Sequence, residues 1–132
     1  MRKRRFGRII AVVSSGVLQP IPNLGISNAI RLALVGWAKT LASEVAADGI
    51  TVNCLAPGRI ATDRVAELDQ GRATREGIAL EEVERQSRAV IPAGRYGESE
   101  EFASMAAFLA SKQASYMTGG IIRVDGGMIR SV

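Results

Sequence analysis

Apolar residues fall into two patterns along this sequence. Three short runs are rich in aliphatic residues, and longer stretches carry apolar residues every three or four positions. Continuous runs of this length are typical of strands buried on both faces of a parallel sheet, whereas the longer period indicates amphipathic helices. The runs predict strands over 8–13, 50–55 and 121–124. The periodic stretches predict helices over 27–47 and from Glu98 or Ser99 to about Ser111.

The order of these elements indicates an α/β fold. Strands that alternate with helices form a parallel sheet with helices on both faces. Three strands make a narrow sheet, so the chain is interpreted as part of a domain. The polar, glycine-punctuated stretch over 62–90 predicts one or two short helices in a mobile excursion. The first helix has its apolar positions at Ile30, Leu34, Trp37, Leu41 and Val45.

The composition excludes several kinds of chemistry. The 132 residues include no histidine and one cysteine, Cys54. Ser-His-Asp hydrolysis, Cys-His proteolysis, His-ligated metals, structural zinc and an internal disulfide are therefore excluded. A lone cysteine suits a reducing compartment, and no apolar run approaches the ~20 residues that span a bilayer. A cytoplasmic protein without a membrane segment or a metal site is expected.

The basic residues Arg2, Lys3, Arg4 and Arg5 supply much of the net charge of +4. Such a cluster can bind nucleic acid, but no aromatic residues alternate with these charges to stack on bases. A solvated chain terminus is the favoured interpretation, and no nucleic-acid partner is expected.

Four segments of the chain resemble one protein family in its own order. The first segment, 7–15, is a strand that ends in two serines. The second, 42–58, runs from a helix into a strand and a Pro-Gly pair. The last two, 91–101 and 108–127, resemble the family's closing helix and strand. The family is the short-chain dehydrogenases/reductases, in particular 3-oxoacyl-[acyl-carrier-protein] reductases. The resemblance implies that residues 1–132 are the C-terminal part of such a domain. They would form a partial Rossmann-type, doubly wound parallel sheet of three strands with flanking helices.

The resemblance also implies an activity and its site. It implies NAD- or NADP-dependent carbonyl reduction or alcohol oxidation, on a small molecule or an acyl carrier. Ser15 would hold the substrate carbonyl by a hydrogen bond, with Ser14 in its place if the register shifts by one. The nicotinamide would lie against Pro57, Gly58, Ile60 and Thr62. The alternative interpretations are a serine that merely ends a strand and an ordinary turn at a strand end.

Two departures from the family pattern weaken this expectation. The resemblance places the glycine-rich pyrophosphate turn and the catalytic asparagine before Met1, so weak cofactor binding by this chain alone is expected. The family's Tyr-x-x-x-Lys falls on Ser27 and Arg31, and a shift of one residue gives Ile26 and Ile30 instead. The Ser27 hydroxyl has no pKa in the range where it could act as an acid or a base. The Arg31 guanidinium does not relay protons, although it could form a hydrogen bond to a ribose. Ser27 is interpreted as a helix N-cap without a catalytic role.

These departures favour a second hypothesis, a catalytically inactive, truncated family member that acts as an oligomer subunit. A homo-oligomer is expected because the 27–47 helix resembles the family's dimerisation helix. Trp37 is placed in the core or in a subunit interface, and the stretch over 62–90 resembles the family's substrate lid. Tyr96 and Tyr116 are interpreted as structural.

Overall fold

A computed structural model describes residues 1–131 of the chain. Its strands and longer helices are β1 (Gly7–Val12), α1 (Gly25–Val45), β2 (Ile50–Pro57), α2 (Asp63–Glu76), α3 (Leu80–Ala89), α4 (Ser99–Ala110) and β3 (Ile121–Val124). Short 3-10 turns lie at Arg2–Arg4, Ser15–Val17 and Ala46–Asp48. None of the helices in the described range has an apolar stretch long enough to cross a membrane.

The sheet has the order β1-β2-β3, and both pairs of strands are parallel. Gly7 lies opposite Ile50 at one end of the first pair, and Pro57 lies opposite Val124 at the end of the second. β2 is the central strand, and all of its residues except Pro57 are buried. The predicted α/β class, with a three-stranded parallel sheet between helices, is confirmed.

Each face of the sheet is covered by one long helix. On one face, Ala38, Ala42 and Val45 of α1 pack with Val52 and Cys54 of β2. On the other face, Leu55 packs with Leu109 of α4 and with Ala114. Both faces of β2 therefore lose contact with water, which explains why its apolar residues do not alternate with exposed polar ones. The side chain of its buried Asn53 is satisfied, because it donates to the Met117 carbonyl and accepts from the Gly120 N–H.

The burial of β1 differs from the prediction. Its sequence predicts a strand buried on both faces, but its residues from Arg8 to Ala11 are half-buried and Val12 is 52% exposed. Within residues 1–131, β1 pairs with β2 alone, so it is an edge strand here. The sequence of β1 is thus more apolar than expected for a strand that is only half-buried.

The face that α1 turns to the sheet also differs from the prediction. The apolar residues Ile30 and Trp37 are 65% and 55% exposed, so neither belongs to the core. The small residues Ala38 and Ala42 lie against the sheet instead, flanked by Leu34, Val35 and Leu41. Alanine at the contact lets helix and sheet approach closely, and the apolar periodicity did not distinguish this face from the exposed one.

The ends of the helices follow local sequence chemistry. The chain leaves α1 through Ala46–Asp48 and Gly49, whose φ of 73° favours glycine. A Cβ at Gly49 would also lie 2.4 Å from the Arg5 carbonyl oxygen. α4 begins with a capping box, in which the Glu98 side chain accepts from the Glu101 backbone N–H and the Glu98 N–H donates to the Glu101 carboxylate at 2.7 Å. The excursion predicted over 62–90 contains two helices, α2 and α3, and its role as a substrate lid stays a prediction.

Candidate active site

The serines that follow β1 have different surroundings. Ser14 caps the turn Ser15–Val17, and its hydroxyl accepts a hydrogen bond from the Gly16 N–H at 3.1 Å. Ser15 is 4% exposed, and its hydroxyl has no hydrogen-bond partner among residues 1–131. Parallel sheets bind ligands at the carboxyl ends of their strands, where Ser15 lies. The Ser15 hydroxyl is therefore free both to donate and to accept, whereas the Ser14 oxygen already accepts one hydrogen bond and keeps only its own hydrogen to donate.

Ser27 and Arg31 lie together on one face of α1, as their spacing predicts. The Arg31 Nε donates to the Ser27 hydroxyl at 3.4 Å. The Arg31 Nη1 donates to the carbonyl oxygens of Val13 at 2.8 Å and Val12 at 3.3 Å. The Arg31 guanidinium thus lies at the carboxyl end of β1. The residues that it contacts there, Val12 and Val13, come shortly before Ser15 in the sequence.

The interpretation of Ser27 as a helix N-cap is wrong. α1 begins at Gly25, and Leu24 is its N-cap without a side-chain hydrogen bond. Ser27 therefore lies inside the first turn, where its hydroxyl meets the Arg31 side chain rather than a backbone N–H. Serine is favoured at the N-cap, but this helix begins two residues before Ser27.

The turn that follows β2 packs closely against the turn that follows β3. The Gly58 N–H donates to the Val124 carbonyl at 2.9 Å. A Cβ at Gly58 would lie 2.7 Å from the Asp125 Cα. Packing within the chain is thus sufficient to require glycine at this position, independently of any ligand.

Ile60 is held by a short bridge to Gly97. The bridge consists of the Ala61 N–H donating to Gly97 O at 2.8 Å and the Gly97 N–H donating to Arg59 O at 2.9 Å. The Ile60 N–H has no partner among residues 1–131, and its carbonyl accepts from the exposed Thr62 hydroxyl at 3.4 Å. Thr62 also caps α2 by accepting from the Val65 N–H. The backbone of Ile60 is thereby fixed in position while its N–H stays available.

The structure shows a buried polar cluster that was not predicted from the sequence. Asp69 of α2 is 1% exposed and pairs with Arg59 at 2.5 Å between Oδ1 and Nη1. The Tyr96 hydroxyl donates to the other Asp69 oxygen at 2.6 Å. The guanidinium groups of Arg59 and Arg88 lie 5.7 and 5.5 Å from the Tyr96 ring centre. The cluster joins the excursion to the residue before Ile60.

Tyr96 does not replace the catalytic tyrosine that the family pattern would place at position 27. Burial, together with the hydrogen bond to Asp69, raises the pKa of Tyr96 above its ordinary value. A phenol whose proton is engaged with a buried carboxylate is a poor proton donor to a ligand. The other tyrosine, Tyr116, is fully exposed. Both are distant in sequence from Ser15 and Ser27.

The sequence-predicted site residues lie at one edge of the sheet but in two separate groups. Ser15, Ser27 and Arg31 surround the end of β1, and Pro57, Gly58, Ile60 and Thr62 follow the end of β2. No hydrogen bond among residues 1–131 joins the two groups. No cluster of three or more Cys, Asp or Glu side chains in the described part of the chain could bind a metal ion.

We expect Gly58→Ala to destabilise the fold by about 1–3 kcal/mol, since the new methyl group would collide with Asp125 backbone atoms. Urea unfolding of the two proteins measures the difference. Gly36→Ala in α1 is the matched control, because a Cβ there has no neighbour within 4 Å. It should raise stability by about 0.5–1 kcal/mol through helix propensity. Equal effects of the two substitutions would contradict the close approach.

Comparison with known proteins identifies the family to which the chain belongs. A family model described as enoyl-(acyl carrier protein) reductase matches residues 1–129. The chain is 39% identical over 132 residues to the NADPH-dependent reductase BacG of Bacillus subtilis (strain 168), covering 100% of this chain and 51% of that relative. It is 44% identical over 130 residues to the 3-oxoacyl-[acyl-carrier-protein] reductase FabG of Escherichia coli (strain K12), covering 97% of this chain and 48% of FabG.

Solved structures agree with this result. The chain matches YwfH, an NADPH-dependent reductase involved in bacilysin biosynthesis, with a TM-score of 0.93 and 38% identity over 99% of this chain and 50% of that one. It matches L-sorbose reductase from Gluconobacter frateurii, complexed with NADPH and L-sorbose, with a TM-score of 0.89 and 34% identity over 100% of this chain and 51% of that one.

The chain belongs to the short-chain dehydrogenase/reductase family. The particular relatives that it resembles include 3-oxoacyl-[acyl-carrier-protein] reductases and an NADPH-dependent reductase. It spans about half the length of the curated relatives that it matches. The predicted resemblance is therefore confirmed at the level of the family.

Proposed function

We propose that this chain contributes the carboxyl-terminal half of an NAD(P)-dependent reductase site for a carbonyl or alcohol substrate. The observation that carries the proposal is the free, nearly buried hydroxyl of Ser15 at the carboxyl end of β1. A hydroxyl in this position can donate a hydrogen bond to a carbonyl oxygen on which negative charge develops. The names of the relatives favour NADPH and a 3-oxoacyl or other small carbonyl substrate.

The turn over 57–62 offers groups that fit the nicotinamide end of the cofactor. The Ile60 N–H, fixed by the bridge to Gly97, can donate to the carboxamide oxygen, and the Thr62 hydroxyl can exchange its 3.4 Å bond to Ile60 for one to the carboxamide. The cofactor supplies a hydride when bound. Ser15 would orient the carbonyl that receives it, while Ser27 is a poor source of the accompanying proton because its hydroxyl has no accessible pKa.

A chimera tests this proposal. The N-terminal half of Escherichia coli FabG would be joined to the start of this chain, and NADPH binding and oxidation would be followed with a 3-oxoacyl thioester and with small ketones. We expect NADPH to bind and to be oxidised slowly, and Ser15→Ala to lower that rate by about 10²-fold. Ser43→Ala, on an exposed part of α1, is the matched control and should leave the rate unchanged.

A chimera that binds NADPH but shows no substrate-dependent oxidation would contradict the proposed reductase and favour the second candidate, an oligomer subunit without activity. One observation supports that candidate directly. α1 exposes Ile26, Ile30 and Trp37, whose spacings of four and seven residues place them on one face of the helix. Such a helix face in water favours association.

We expect the chain to form a dimer or a larger assembly through this helix face. Static light scattering at micromolar concentration measures the mass directly. Ile30→Glu with Trp37→Glu should shift the population toward monomer, because it places charges on the apolar surface. Ser43→Glu, exposed on a different side of α1, is the control and should have little effect. A monodisperse 14.0 kDa monomer of the unaltered chain would contradict the expectation.

A further inference from the structure

A single buried carboxylate contacts both of the chain segments that meet at Ile60. Arg59 lies in the first segment, which follows β2, and Tyr96 lies in the second, which precedes α4. The Oδ1 of Asp69 accepts from the Arg59 Nη1 at 2.5 Å, and its Oδ2 accepts from the Tyr96 hydroxyl at 2.6 Å. Asp69 belongs to α2, so a third element of the fold joins the two segments.

The direct contact between the two segments is short. The Gly97 N–H donates to the Arg59 carbonyl at 2.9 Å, and the Ala61 N–H donates to the Gly97 carbonyl at 2.8 Å. A Cβ at Gly97 would lie 2.8 Å from the Ile60 Cδ1, so the segments approach closely. An isolated pair of short segments with so few hydrogen bonds is marginally stable in water. Contacts from outside the bridge are therefore needed to hold it, and Asp69 supplies two of them.

The burial of Asp69 makes these contacts obligatory. Asp69 is 1% exposed, so its charge has no access to water while α2 stays in place, and it requires its partners. The Tyr96 ring also receives the guanidinium groups of Arg59 and of Arg88 in α3, at 5.7 and 5.5 Å from its centre. α2 itself starts from its cap Thr62, two residues after Ile60. The position of the excursion and the position of Ile60 are thus tied to each other.

We propose that Asp69 is a positioning residue for the cofactor, which acts through Arg59 and Tyr96 to hold the Ile60 N–H where the nicotinamide carboxamide binds. The inference rests on the proposed reductase function, because the carboxamide is the ligand proposed for that N–H. A donor that is fixed before its ligand arrives loses less conformational freedom on binding. The helix α2 then contributes to the binding of the nicotinamide end of the cofactor, in addition to any contact with a substrate.

Binding of NADPH and of 2′,5′-ADP to the FabG chimera tests the proposal without turnover. 2′,5′-ADP is the adenosine end of NADPH and has no nicotinamide, so it has no carboxamide for Ile60. We expect Asp69→Asn and Tyr96→Phe each to weaken NADPH binding about fivefold, the effect of one lost hydrogen bond, with the affinity for 2′,5′-ADP unchanged. Titration calorimetry measures both affinities. The matched controls are Glu67→Gln, exposed on α2, and Tyr116→Phe, at a fully exposed tyrosine, and they should change neither affinity.

The pair of ligands separates positioning from a loss of folded protein. A merely structural role would lower the fraction of folded chimera and so reduce the binding of both ligands alike. Tyr96→Phe keeps the ring and removes one of the two contacts to Asp69, so it is the milder variant. Equal weakening of both ligands by Tyr96→Phe, or unchanged NADPH affinity in both variants, would overturn the proposal.

Hydrogen exchange in the chain itself gives a second measurement that requires no cofactor. Tyr96→Phe should speed exchange at the Ala61 and Gly97 amides severalfold, because the bridge between them loses one of its supports. Tyr116→Phe should leave both rates unchanged. Unchanged exchange with Tyr96→Phe would overturn the proposed action of Asp69 through Tyr96.

The two proposals can fail separately. A chimera that binds NADPH without oxidising it, with weaker NADPH binding in both variants, would retain the positioning role and reject the reductase. An active chimera whose NADPH affinity is unchanged in both variants would retain the reductase and reject the positioning role.

Discussion

Replacing Ser27 with tyrosine and Arg31 with lysine in the FabG chimera should raise the rate of NADPH-dependent ketone reduction by about 10²–10⁴-fold. A tyrosine has a pKa of ~10, and an ammonium group one helical turn away lowers that value toward neutral pH. The two positions already lie on one face of α1, since their side chains meet at 3.4 Å in the present sequence. The substitutions would therefore supply a proton donor at the end of β1, where Ser15 lies.

The single substitutions separate proton donation from changes in binding. Ser27→Tyr alone should give part of the gain, and Arg31→Lys alone should give none because no titrating hydroxyl accompanies it. Steady-state rates with a neutral ketone, across a range of pH, measure both effects. If the unaltered chimera already turns over rapidly and the double substitution slows it, another group donates the proton and the interpretation of Ser27 is wrong.

The elements of this fold could be predicted because each strand has a simple chemical signature. β2 is buried from Ile50 to Ala56, and the strand predicted over 50–55 begins at the observed residue and ends two residues early. The inward face of α1 was less accessible to prediction, because alanines at 38 and 42 form the contact while Ile30 and Trp37 are exposed. Hydrophobic periodicity records where apolar residues recur, and it does not show which of two apolar faces meets the sheet.

The candidate site could be predicted in part for a similar reason. The spacing of Ser27 and Arg31 predicted that they share a helix face, because that property is local. The contact of Arg31 with the Val13 carbonyl depends on how α1 packs against β1, and no local pattern records it. Asp69 has a signal that could have been used. It lies four residues from Val65 and from Ala73, so the inward stripe of α2 passes through a charged residue.

We expect Asp69→Ala to lower the free energy of unfolding by about 3 kcal/mol. Removing one partner of a buried ion pair typically costs about 3–5 kcal/mol, and the Tyr96 hydroxyl would also lose its acceptor. The Arg59 side chain is 29% exposed, so water would partly compensate its charge and the value falls at the lower end of that range. Urea unfolding at fixed protein concentration measures the effect.

Glu67→Ala is the matched control for Asp69→Ala, because Glu67 pairs with Arg64 on the same helix but both side chains are about two-thirds exposed or more. It should change stability by no more than about 0.5 kcal/mol. The loss of Asp69 should also speed hydrogen exchange at the Ala61 and Gly97 amides, whose bridge lies beside Arg59. A loss below about 1 kcal/mol, with unchanged exchange at both amides, would mean that the bridge is held without the excursion. In that case Asp69 would not connect α2 to the turn at Ile60, and the position of the Ile60 N–H would depend on the sheet alone.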